Sequence, residues 1–158
     1  MKRIIAATAV AAALAAGNTQ AGNTSGTFNV NVTLTSACTL AAVTDLAFAY
    51  TSLQAGVSNA TGGGFSVSCT TSLPYTFGLQ SGNGAATPPG GATISVTDNA
   101  VNLNYSLGLS AAGATGSGAA QAFSVTGTMA GSQAGTCAVA SCTNAAATNK
   151  THTLIVNY

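Results

Sequence analysis

Large apolar residues alternate with small polar ones in short runs along most of this chain. In the run Gly26–Cys38, Phe28, Val30, Val32 and Leu34 alternate with Thr27, Asn29, Asn31, Thr33 and Thr35. A period of two places the four large residues on one face of a half-buried strand. Leu46, Phe48 and Tyr50 repeat the pattern, as do Phe65, Val67 and Cys69, and Tyr75, Phe77 and Leu79 after Pro74. Ile94 and Val96 come next, then the longest run, Val101, Leu103, Tyr105, Leu107 and Leu109. Phe123, Val125 and Met129 form another face, with Gly127 in register where a large side chain is missing. Leu154, Val156 and Tyr158 make the last. Breakers stand between the runs, notably Gly62-Gly63-Gly64 and Pro88-Pro89-Gly90-Gly91. Beyond residue 21 no window repeats apolar residues at helical spacing, so the expectation is an all-β sandwich. Two low-complexity stretches, Ala111–Ala122 and Ala130–Asn149, are expected to be loops, because Gly and Thr among their alanines disfavour helix.

Residues 1–21 belong to a different pattern. Lys2 and Arg3 precede an apolar run, Ile4–Ala16, and small residues ending in Ala21 come after it. This is the layout of an export signal, and the run is too short to span a membrane. Removing it from 158 residues leaves 137, enough for one domain. That remainder carries three charged side chains, Lys150, Asp45 and Asp98, with a formal net charge of −1. Nothing there attracts nucleic acid or an acidic membrane. Nor are strand edges guarded by charge, as in a typical soluble monomer. Such edges point to pairing with other copies or to a solid assembly.

The same scarcity narrows the chemistry. His152 with Asp45 or Asp98 is the sole route to a serine-type triad, and no G-x-S-x-G supports it. His152 is expected at a surface or edge, and both aspartates beside turns, bonding their own backbone. No dinucleotide or phosphate-loop pattern occurs, and no cofactor is implied. Four cysteines in an exported chain read as disulfides, with three pairings possible. Cys137 and Cys142 are near enough to close a small loop, which leaves Cys38 with Cys69. One histidine and no C-x2-C pair argue against zinc.

Four features together resemble the spore coat protein U family, which includes subunits of archaic chaperone–usher pili. They are the opening strand running into Cys38, and Leu46-Ala-Phe48-Ala-Tyr50 followed by Leu53 and Gly56. Next come Gly64-Phe-Ser-Val-Ser-Cys69 with Pro74-Tyr-Thr-Phe-Gly-Leu79, and a final run from His152 to Tyr158. The loop before the final run departs from the family pattern in carrying Cys137 and Cys142. The resemblance implies an immunoglobulin-like sandwich that lacks one strand, completed by a donor strand from a neighbouring subunit. Residues 1–21 would be the signal peptide, 22–37 the donor strand and 38–158 the pilin domain. Phe28, Val30, Val32 and Leu34 would be donor residues, Leu154, Val156 and Tyr158 would border the acceptor groove, and Cys38–Cys69 would be the family disulfide. The implied partners are identical subunits in a cell-surface fibre, a periplasmic chaperone and an outer-membrane usher. Alternation alone does not decide ownership of the opening strand. The alternative is a coat or matrix protein whose sandwich is closed by its own first strand.

Overall fold

A computed structural model describes residues 22–80 and 93–158. The expected signal peptide and the Pro88–Gly91 breaker lie outside them. The described chain contains strands and no helix. In order they are β1 (Cys38–Leu40), β2 (Leu46–Ala47), β3 (Ser58–Asn59), β4 (Thr61–Gly62), β5 (Gly64–Cys69) and β6 (Pro74–Gln80). Then come β7 (Ile94–Thr97), β8 (Asn104–Leu109), β9 (Gly113–Thr115), β10 (Ala120–Met129) and β11 (Thr153–Asn157). One sheet runs β1-β5-β10-β8-β7, with β3 also paired to β10. A second runs β11-β6-β9, and β2 pairs with β4 in a short ribbon. Together they make an all-β, sandwich-like fold.

The alternating runs explain which side chains lie between the sheets. Phe65 and Val67 on β5, Tyr75, Phe77 and Leu79 on β6, and Val125 on β10 are all buried in one cluster. Phe77 is the hub. Its ring meets Phe65 edge-on at 5.3 Å and Phe123 at 4.8 Å, bringing β6 of one sheet against β5 and β10 of the other. Such pairs add about 0.5–1.5 kcal/mol each beyond the area they bury. Gly127 on β10 leaves room for a ring, because a Cβ there would lie 2.7 Å from the tip of Phe48.

Both disulfides form, Cys38 with Cys69 and Cys137 with Cys142. The first joins residues directly opposite one another on β1 and β5. Its sequence separation is 31, against 5 for the second. Loop-closure entropy grows with the span closed, so changing Cys38 and Cys69 to serine should cost about 3–4 kcal/mol, and Cys137 and Cys142 about 2. Denaturant titration of the two double variants checks that order.

Two expectations need correcting. The stretch 111–122 is not all loop, since β9 pairs with β6 and β10 begins at Ala120. Its side chains are too small for alternation to show. The long run from Val101 to Leu109 is a strand only from Asn104, because Asp98 turns the chain first. Its side chain accepts from the N–H groups of Ala100 and Val101, and Asn102 adopts φ 52°. Stretch 130–149 is without a strand, as expected.

The chain divides into two units, residues 1–33 and 34–158. Residues 22–37 are in no strand, and Phe28, Val30, Val32 and Leu34 are between 74% and 85% exposed. A strand exists only beside a hydrogen-bonded neighbour, so the period-two pattern here marks a segment suited to one.

Candidate functional site

Among the described residues, the last strand has a ladder on one side only. β11 pairs antiparallel with β6, from Thr153 opposite Gln80 to Asn157 opposite Thr76. In the 34–158 unit a cavity of about 770 Å³ opens between residues 150–154 and residues 43–50. Its apolar wall includes Leu46, Phe48 and Tyr50, which the sequence pattern places on one face although only Leu46 and Ala47 are in a ladder. Leu79, Leu107, Val125 and Met129 contribute from the core. Leu154 lines the opposite wall. The cavity therefore reaches from a strand edge to the core side chains between the sheets.

The sequence-derived border residues are placed differently from one another. Leu154 lines the cavity, whereas Val156 packs against the core cluster outside the lining. Tyr158 is exposed and outside it too. Sequence reasoning missed Val101 and Leu103 as wall residues, having assigned them to a strand. It also missed the polar end of the cavity. Asp45, Asp98 and the pair Lys150 and His152 all line it, from three separate parts of the sequence.

Asp98 organises that end. It is 2% exposed, and besides its two backbone donors it accepts from the Asn144 side-chain amide at 3.0 Å. Next to it, Asn99 bonds Thr148, while Asn149 donates to the carbonyl of Thr97. The β7–β8 turn thereby pins residues 144–149, which have no ladder of their own. Burial opposes the charge on Asp98. The N–H groups of Val101 and Ala100, the Asn144 amide and the positive Lys150 outweigh burial and hold its carboxyl below the ordinary range. A lowered pKa stabilises the fold above the unfolded value, and that stability disappears as pH falls through the folded value. Below about pH 4, near the ordinary carboxylate pKa, the protein should lose stability steeply. Asp98→Asn should lower the melting temperature at pH 7 and flatten that acid slope, as melting curves from pH 7 to 2 will report.

His152 directly precedes the edge strand β11, in keeping with the surface or edge placement expected of it. It is half-buried, with Nε2 3.0 Å from the hydroxyl of Tyr105, and burial lowers its pKa. Burial also raises the pKa of Tyr105, with the charge of Asp98 adding to it. Asp98 thus serves a structural network, and no group of three or more potential metal ligands occurs among the described residues.

A two-sheet sandwich with an apolar groove along an open strand edge defines a class of structural domain. The model of the Spore Coat Protein U domain matches residues 24–156, and the chain belongs to that family. It is a family of structural coat or pilus domains, at home on cell surfaces, and not one of enzymes. No curated protein and no solved structure matches the chain.

Proposed function

We propose that this protein is the repeating subunit of an extracellular pilus built by donor-strand complementation. The observation that carries the reading is the pairing of an open groove with an exposed strand-like segment on the same chain. The groove between residues 43–50 and 150–154 is floored by core side chains such as Val125 and Leu107. Residues 28–34 offer a period-two apolar face of matching character, exposed to solvent. Strand addition of this kind uses main-chain bonds for affinity and alternate side chains for specificity. In the assembled fibre, Phe28, Val30, Val32 and Leu34 of one copy fill the groove of the next. A periplasmic chaperone holds the groove before assembly, and an outer-membrane usher exchanges the strands. Adhesion and biofilm formation are the roles such a fibre would serve. The decisive experiment removes residues 22–35 and then supplies them as a peptide, with the outcomes given in the Discussion.

A further inference from the structure

The small disulfide loop is unexplained by the groove alone. It stands where the main cavity meets a second one. Cys142 lines the main cavity together with Asp98, Asn144 and residues 150–154, which lead into β11. A second cavity of about 480 Å³ shares Tyr50, Val101, Leu103 and Cys142 with the first and is walled by Cys137 and Val139–Cys142. The groove therefore continues past the disulfide loop. Val139, at the loop's tip, is 68% exposed.

The docking geometry rests on the strand-donation reading. Every ladder among the described residues is antiparallel, the more stable mode per residue. A donor laid antiparallel along β11 leaves the groove with its C-terminal end at the start of β11, beside Cys142. Leu34 of the donor then sits at the mouth. The chain beyond Leu34 has little slack. Ala37 is already fixed to its own domain, donating its N–H to Thr70 Oγ1 at 3.0 Å and accepting from the Thr70 N–H at 3.0 Å. Only Thr35 and Ser36 lie between them, so the donor's body begins within about 10 Å of the groove mouth, at 3.3 Å per residue. The surface it must meet there is the disulfide loop.

We infer that the Cys137–Cys142 loop is a contact surface between successive copies of this chain. It receives the donor's Thr35–Ser36 tether and the turn around Thr70–Ser72, beside the Cys38–Cys69 bridge. Both sides are small, uncharged and exposed, apart from Val139, which supplies the apolar anchor. The disulfide holds the loop in shape before contact. Because the tether is so short, this surface sets the angle between neighbouring subunits.

Photo-crosslinking from p-benzoylphenylalanine placed at Val139 in assembled full-length fibres tests the inference. The expected product is a covalent dimer whose crosslink maps, by mass spectrometry of digests, to residues 35–40 or 68–73 of the neighbouring copy. The same variant loaded with a synthetic peptide of residues 26–36 should give no dimer, because the peptide brings no body with it. Crosslinks elsewhere, or none, in fibres whose subunits bind the peptide would overturn this contact and leave strand donation standing. Absence of both fibres and peptide binding would overturn the two together.

Discussion

Removal of residues 22–35 leaves a subunit that no longer polymerises yet binds a peptide of residues 26–36. On the strand-donation reading the effect on assembly is all-or-none, since the segment holds all four proposed donor residues: Phe28, Val30, Val32 and Leu34. Burying four such side chains contributes roughly 6–12 kcal/mol, at about 1.5–3 each. Ordering the backbone costs about 1–2 kcal/mol per residue, so a preformed groove is needed for net binding. On the strand-donation reading, the cavity that Leu107, Val125 and Leu154 line would meet that requirement. The peptide should raise the melting temperature of the truncated protein by mass action. A Val32→Asp peptide loses a buried side chain and introduces a charge without a partner, and should bind at least ~100-fold more weakly. Size-exclusion chromatography and thermal melts read both arms. A truncate that stays monomeric, with a melting temperature indifferent to the peptide, would end the strand-donation reading. Full-length mature protein that stays monomeric, folded and stable without a chaperone would favour the self-closed coat or matrix protein.

Phe77→Ala is the second large effect, an expected loss of about 3–5 kcal/mol. The side chain is fully buried and touches Phe65, Tyr75 and Phe123. Its removal leaves a cavity at the one place where aromatic rings of both sheets converge. A fold with an open edge has a smaller reserve than a closed sandwich, so this variant should unfold largely at physiological temperature when alone. Bound donor peptide stabilises only the folded state and should recover part of the loss. Urea titrations of the wild type and variant, with and without peptide, measure it. A cost under about 1 kcal/mol would mean the two sheets are held together elsewhere.

The strands built from large residues were legible because their pattern and their burial have the same cause. Phe65, Val67 and Cys69 alternate because β5 has one face inward, and the same holds for Tyr75, Phe77 and Leu79 on β6. β9 was not legible. Gly113 pairs opposite Thr76, and a Cβ there would lie 2.2 Å from the carbonyl oxygen of Tyr75. Close backbone approach, with no side chain to alternate, holds this strand in place. Along Val101–Leu109 the alternation persists through a turn, since Val101 and Leu103 reach the cavity from a loop. Period-two burial therefore overstated the strand. One wall of the candidate site was legible in Leu46, Phe48 and Tyr50. The polar end was not, because Asp98 meets Asn144 across 46 positions and no local pattern encodes that meeting.

The placement of Lys150 has a consequence for digestion. Beyond residue 21 it is the chain's sole lysine or arginine, so trypsin has a single bond to attack, between Lys150 and Thr151. That bond lies on the groove wall itself. Lys150 and Thr151 are both exposed, so an empty groove leaves the bond open to the protease, and an added strand alongside β11 would cover it. If strands are donated, resistance to trypsin would be a property of the polymer, gained by each subunit as its neighbour's strand arrives.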